Sequence, residues 1–372
     1  MTRKSFLLLL PAPLLPGQAA PEPYAIENVV VYRQPGRYGG WPANHGIWSW
    51  GNEILAGFEA GYFKFDAKRH SIDRSKPAEH LLARSLDGGA SWTIERPMSL
   101  LPPPATVVAG VPAVTGTRQL TDCAGGIDFT RPGFALTARM SGKDTGPSWF
   151  FYTTNKGKTW NGPYRLPDFG TPGVAARTDY LIDGDHVMTM FLTVAKANRN
   201  EGRVICVRTE NGAKTWKLIS YIGPEPPAED YAIMPSSVRL SAQTIVTSIR
   251  HKHFIDLWRS GDNGATWQHV SKPVEDTGIG NPPSMVKLKD GRLALTYGYR
   301  AKPYSIRARI SSDAGRTWSP DIVLRDDAGA WDIGYTRTVV RPDGNLVTVY
   351  YYNLDAHAER FIGATIWSPG RE

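Results

Sequence analysis

The sequence predicts an all-β chain closed into a six-bladed β-propeller of four-stranded antiparallel blades. Three observations predict it: an octapeptide that recurs five times, a strand-turn-strand unit that recurs six times, and the absence of any stretch holding a 3.6-residue apolar period. Each repeat needs its neighbours to bury its faces, so the usual prior of about 150 residues per domain does not apply. Residues 21–372 therefore read as one domain. The Pro-rich stretches Leu101-Pro102-Pro103-Pro104 and Pro224-Glu225-Pro226-Pro227 are short enough for inter-strand loops.

The octapeptide has the form Ser/Thr-x-Asp/Asn-x-Gly-x-Thr/Ser-Trp. It begins at Ser85, Thr153, Thr209, Ser260 and Ser311 and ends at Trp92, Trp160, Trp216, Trp267 and Trp318, intervals of 68, 56, 51 and 51 residues. Its chemistry is that of a hairpin turn: the Asp or Asn accepts bonds from nearby backbone N–H groups, Gly takes the positive φ, and Trp packs between strands. The third copy departs, with Ala213 at the Gly position. No copy carries more than one carboxylate, where a calcium loop wants several oxygen ligands in a row, so the role is structural.

The second repeat marks the first two strands of each blade. Its copies begin near Trp41-Pro42-Ala43, Gly125-Gly126-Ile127, Ala176-Arg177-Thr178, Met234-Pro235-Ser236, Pro282-Pro283-Ser284 and Tyr335-Thr336-Arg337. Each runs about eight residues to a turn such as Lys289-Asp290-Gly291-Arg292, then enters a β-rich strand such as Leu346–Tyr351. The sixth unit lacks an octapeptide and supplies three strands, near 334–341, 345–352 and 360–367. The run Ile26–Tyr32 is placed to be its fourth, which would remove the exposed edges of an open sheet.

Residues 1–20 read as a secretory signal: basic Thr2-Arg3-Lys4, apolar Phe6–Leu10, then small residues with cleavage expected near Ala19. The apolar run is short and broken by Pro11, Pro13 and Pro16, so a membrane span of about 20 residues is not expected. A secreted or periplasmic monomer is the expectation. Two cysteines, Cys123 and Cys206, are too few for a disulfide framework; they are expected as buried small hydrophobes, with a bridge between them the minority alternative. The formal charge of +8 is scattered, with no basic run, which favours an acidic glycan over nucleic acid.

The octapeptides, which match Asp-boxes, together with the strand-turn-strand repeat, resemble the sialidase superfamily of BNR or Asp-box propellers, over almost the whole of residues 21–372. The resemblance implies a site on the face opposite the boxes, with three arginines on a substrate carboxylate, a Tyr nucleophile assisted by Glu, and an Asp acid/base. A phenol nucleophile suits an anionic sugar because it avoids the repulsion a carboxylate would meet. Carried over, Arg250 and Arg300 match two of the arginines and Tyr335 matches the nucleophile. Trp41 stands where the first arginine is expected and Met234 where the Glu is expected; Asp66 and Asp73 lie in the 60-to-80 loop without a clear match to the acid/base.

Other polar residues fall on the same face. Arg177 and Asp179 share a spacing of two, as a structural ion pair or a substrate clamp, and Arg337 stands in the same relation to Tyr335. Asn44, His45, Glu59 and Asp332 complete the candidates, with Trp41, Trp48 and Trp331 as aromatic walls. The resulting assignment makes Tyr335, Asp332, Glu59 and His45 catalytic and Arg250, Arg300, Arg177, Arg337, Asp179 and Trp41 substrate-binding. His251, His253 and Asp256 are too local for a metal site, and neither metal nor cofactor is expected. The leading expectation is a glycoside hydrolase acting on an acidic sugar of sialic acid or uronate type. A propeller-type polysaccharide lyase and a non-catalytic glycan-binding propeller are the alternatives.

Overall fold

The computed structural model describes residues 25–104, 107–108, 111–112 and 116–370; the expected signal over residues 1–20 lies outside them. Six antiparallel sheets form the ring, and contacts between successive inner segments run from the first blade round to the sixth and back. Among the described residues, helix is confined to the turn Pro42–His45 and the 3-10 turn Met98–Leu100. No helix among the described residues is long and apolar enough to cross a membrane.

Alternation explains the blades, since each strand presents one side chain in two to each neighbouring sheet. Blade four is the regular case, with strands Ile233–Arg239, Ile245–Arg250, Ile255–Ser260 and Gln268–Val274 in that order from the axis outward. Blade five repeats it over Ser284–Lys287, Leu293–Tyr299, Ser305–Ser311 and Ile322–Arg325. In blade six, Gly334–Val340, Leu346–Tyr352 and Phe361–Trp367 are completed by the N-terminal strand Ile26–Tyr32, which pairs with Phe361–Trp367 from Ile26↔Trp367 to Tyr32↔Ile362. The ring is closed by strand exchange between the two ends of the described chain, as expected.

Three blades depart from the regular plan. In blade one the inner strand is broken into Arg37–Gly40 and Ile47–Trp50, both paired with Glu53–Tyr62, and the turn Pro42–His45 fills the gap. Blade three is broken likewise, into Val174–Ala175 and Tyr180–Ile182. Blade two has three strands rather than four: Ala135–Met140, Ser148–Thr153 and Asn161–Arg165. The segment after Gly125-Gly126 leaves the sheet and bonds to blade three instead, Ile127 N–H donating to Gly212 C=O at 3.2 Å and Phe129 N–H to Asp185 C=O at 2.7 Å. The bared edge of Ala135–Met140 is met by side chains of blade three, the Tyr180 hydroxyl accepting from Leu136 N–H at 3.2 Å and Thr178 Oγ1 from Ala138 N–H at 3.0 Å.

The octapeptide turns are structural. In the first, Asp87 Oδ1 accepts from Ser91 N–H at 2.9 Å, Ser85 Oγ accepts from Gly89 N–H at 2.7 Å, and Trp92 Nε1 donates to Gly89 C=O at 2.8 Å. The fourth and fifth also lock adjacent blades, since Trp267 donates to Ser220 Oγ and Trp318 to Ser271 Oγ on the outer strand of the blade before. Ala213 adopts the turn's positive φ, 69°, without glycine. Four of the five turns follow third strands, and the one in blade two follows the second of its three because its innermost strand is missing, so the up-down order puts all of them on the face opposite the starts of the inner strands. Cys206 is buried and Cys123 half-buried, both as free thiols, with the Cys206 thiol pushed up to about 12 by burial.

Candidate functional site

Three positions on the inner segments share an unusual backbone. Trp41, Met234 and Tyr335, the positions at which the first arginine, the Glu and the Tyr were expected, have φ of 55°, 53° and 53°. A left-handed conformation costs a non-glycine residue about 1–2 kcal/mol. At Met234 and Tyr335 it coincides with a register shift, between Ile233 and Ser236 and between Gly334 and Arg337, which turns the side chain out of the pleat. Asn281, wholly buried, pins the third of these by accepting from Tyr335 N–H at 3.0 Å while donating to Ile333 C=O at 3.0 Å. Gly334 before it has φ 102°, and a Cβ there would lie 2.4 Å from Asn281 Nδ2, so no other residue fits.

Arg250, at the end of its blade's second strand, donates through Nη1 to the Tyr335 hydroxyl at 3.2 Å and through Nη2 to the Tyr231 hydroxyl at 3.2 Å. The Met234 sulfur lies 3.4 Å from the same Nη1. The Arg300 guanidinium lies 5.4 Å from the Tyr335 ring centre. Burial pushes the Tyr335 phenol up, but the guanidinium groups of Arg250, Arg300 and Arg177 outweigh it and hold the phenol below its ordinary value. Arg250, Arg300 and Tyr335 thus meet at one point, from blades four, five and six.

Arg300 is spoken for by the protein: Nε donates to Ile333 C=O at 3.0 Å, Nη1 to Gly280 C=O at 3.2 Å and Nη2 to the Tyr351 hydroxyl at 2.6 Å. Arg177 lies between broken strand halves rather than on a strand, and its partners are Glu201 through Nη1 and Asn44 Oδ1 through Nε at 3.1 Å. Asp179 does not pair with it. Its carboxylate accepts from Ser237 N–H at 3.2 Å and Oγ–H at 2.8 Å across the gap to blade four, and burial pushes it up to about 6 against the pull of Arg337. Arg337 spans the axis, donating through Nη2 to Ala43 C=O at 2.6 Å and Thr178 C=O at 2.7 Å, and so ties blades one, three and six together. Arg337 and Asp179 are struts of the ring rather than parts of the cavity wall.

Asp332 has no exposed surface and four partners. Its Oδ1 accepts from the Tyr351 hydroxyl at 2.7 Å and contacts His70 Nδ1 at 2.6 Å; its Oδ2 accepts from Ser71 N–H at 3.1 Å and Arg360 Nε at 3.1 Å. Despite burial, His70, Arg360 and Arg300 hold the carboxyl well below the usual range, so it stays ionised and His70 Nδ1 carries the shared proton. His70 comes from the 60-to-80 loop and packs between Trp41, at 5.1 Å, and Trp331, at 5.8 Å, with its ring 6.1 Å from Tyr335. In that same loop Asp66 and Asp73 cap local turns, bonded to the backbone of Lys68 and Arg69 and of Ser75.

Glu59 and His80 face each other in register on the second and third strands of blade one, and Glu59 continues three residues short of its strand's end at Tyr62. With His45 their ligand atoms lie within 4.8 Å of one another, Glu59 Oε2 standing 3.0 Å from His80 Nε2 and 3.6 Å from His45 Nε2. The spacing would suit a metal, but Arg139 Nε donates to His80 Nδ1 at 3.3 Å, which places the proton of His80 on Nε2, toward Glu59. A cation there would have to displace that proton beside the buried Arg139 guanidinium.

A cavity of about 540 Å³ opens here, lined among others by Trp41, His70, Arg74, Lys143, Arg177 and Tyr335. A second, of about 340 Å³, shares Lys143, Arg177 and Tyr335 and is walled by Tyr231, Arg250, Glu201 and Asp230. Of the expected residues, Tyr335, Arg177, Trp41, His45 and Glu59 line the first and Arg250 the second, whereas Asp332, Asp179, Arg300 and Arg337 stand behind the walls. His70, His80, Arg139 and Asn281 went unrecognised. A register argument would have found His80 opposite Glu59; nothing local marks His70, whose partner lies 262 residues away.

Structural comparison finds the same fold in a protein of unknown function from Dyadobacter fermentans, with a TM-score of 0.69, 19% identity, and coverage of 93% of this chain and 99% of that one. The NanB sialidase of Streptococcus pneumoniae follows at 0.60, 13% identity and 91% and 70% coverage. An α-L-arabinofuranosidase of Fusarium graminearum gives 0.58, 12% identity and 91% and 96% coverage. At such identities the likeness is one of fold, and that fold is shared with glycoside hydrolase propellers. No curated protein matches the sequence significantly. The sequence profile of the BNR repeat-like domain matches residues 134–348, more than half of the chain, and the protein belongs to that family.

Proposed function

We propose that the protein is a secreted glycoside hydrolase that cleaves glycans at an acidic sugar. The observation that carries this is the Tyr335 phenol, bonded to Arg250 and held below its ordinary pKa at the meeting point of two cavities. A phenolate stabilised by fixed cations is a competent nucleophile toward an anomeric carbon. Its activation falls to Arg250, because the position of the expected Glu holds the Met234 thioether. The substrate anion falls to Arg177, with Arg74 and Lys143 on the same wall, because Arg177 lines both cavities and Arg300 neither.

The test is a screen of sialylated, uronate-containing and sulfated glycans, read by mass spectrometry for wild type and Tyr335→Phe. Release of an acidic sugar by wild type, lowered at least about 100-fold in Tyr335→Phe with an unchanged circular dichroism spectrum, is the expected outcome. Equal rates would overturn it, as would saturable binding with no product, the mark of a sugar-binding propeller. The Met234 position favours one second possibility, elimination by a lyase, since a phenolate with no carboxylate relay can also act as base toward a uronate. That route gives an unsaturated, ultraviolet-absorbing product and takes up no ¹⁸O from labelled water.

A further inference from the structure

Resting on that assignment of the site, we infer that His70 exchanges the catalytic proton with the substrate through Nε2 and that Asp332 is its positioning residue. The proton is then carried by an imidazole where the resemblance implies a carboxylate. Three geometric facts support it. His70 lines the cavity that Tyr335 lines, on a loop of blade one that crosses to blade six. Its Nδ1 edge is tied back to a wholly buried carboxylate at 2.6 Å, which sets the tautomer and leaves Nε2 on the opposite edge. Finally, Trp41 and Trp331 pack against the ring, so it is held against rotation while standing beside the nucleophile. Neither Glu59 nor Asp332 can take the role: the first faces His80, and the second has no exposed surface.

In hydrolysis the Tyr335 oxygen bonds to the anomeric carbon as the glycosidic C–O bond breaks, and the leaving oxygen takes its electron pair and the Nε2 proton of the imidazolium. Water then attacks the anomeric carbon, giving a proton to Nε2, and the phenolate departs. Five titratable or charged groups face His70: Asp332, Tyr351, Tyr335, Arg300 and Arg250. Burial lowers its pKa most, the two arginines add to this, and Asp332 opposes them. The acid form is therefore complete only below the ordinary histidine value, and turnover should fall as pH rises through a limb lying below about 6.5.

Two measurements test the inference. Without any substrate, diethyl pyrocarbonate followed by site-resolved mass spectrometry should modify His70 in the intact protein while His45 and His80 stay unmodified; an unreactive His70 overturns the proposal. With the substrate found in the glycan screen, His70→Ala should lower kcat at least about 100-fold with KM little changed, and added imidazole should restore part of it. Asp332→Asn should move the alkaline limb to lower pH. His70→Asn serves as a second variant should the alanine protein fold poorly. A wild-type rate and pH profile in both His70 variants, with Tyr335→Phe inactive, overturns the role of His70 and leaves the site assignment standing. Full activity in Tyr335→Phe overturns the site assignment itself.

Discussion

Replacing Asp332 by Asn should destabilise the ring more than any other single-atom exchange near the site. The carboxylate has no exposed surface, and the Arg360 side chain that pairs with it at 3.1 Å is 1% exposed. Removing one member of a buried ion pair costs about 3–5 kcal/mol, because the other charge is left without compensation. The amide has one oxygen for four donors, and its NH₂ must turn toward Arg360 and Ser71 or toward His70 and Tyr351. Since the native carboxyl is held below its ordinary range, its contribution is complete above about pH 4 and is lost only as pH falls further. Thermal denaturation at pH 7 should show a drop of roughly 6–10 °C, at about 2 °C per kcal/mol for a long chain. Arg360→Met in the same background should recover much of the loss. A drop under about 2 °C, or a double variant that loses the sum of the two singles, would refute the reasoning.

Three further outcomes are expected. Gly315→Ala should cost about 2–5 kcal/mol in denaturant titrations, since φ is 88° and the new Cβ would stand 2.2 Å from Leu257 Cδ2, whereas Ala213→Gly should change stability by less than about 1 kcal/mol. The carboxyls of Asp87, Asp262 and Asp313 are held down to about 2 by hydrogen bonds from their own turns, so they contribute stability above about pH 4 that is lost as pH falls through about 2. Changing all three to Asn should flatten that part of the stability-pH curve, because Asn155 already makes the equivalent bonds at 3.0 and 2.8 Å without titrating. Deleting residues 21–33 should unpair Phe361–Trp367, lower the melting temperature and raise light scattering; an unchanged melt would argue against closure by that strand.

The architecture was legible because it is repeated. Box residues and turn residues act locally, so each copy announces its own hairpin, and the fourth strand of blade six fell at Ile26–Tyr32 as its spacing required. Blade two was misjudged because Gly125-Gly126-Ile127 looks like other strand starts, while its backbone bonds go to blade three through carbonyls that no local pattern marks. The convergence of Arg250, Arg300 and Tyr335 could be foreseen from equivalent positions in successive blades. Which donors are engaged could not: the Arg300 bonds to Ile333 C=O, Gly280 C=O and the Tyr351 hydroxyl, and the Arg337 struts to Ala43 and Thr178, depend on acceptors brought in from distant parts of the chain. His70 escaped for the same reason.

The shared left-handed twist at Trp41, Met234 and Tyr335 makes these positions sockets, each presented to the axis by the same bent backbone whatever residue is plugged in. The energy needed to hold that bend is met by the surrounding ring rather than by the side chain, as the chemical dissimilarity of an indole, a thioether and a phenol makes plain. Exchanging the plug should alter the chemistry offered at the axis while leaving the frame untouched. Met234→Glu and Trp41→Arg are therefore the two exchanges by which this scaffold would be retuned.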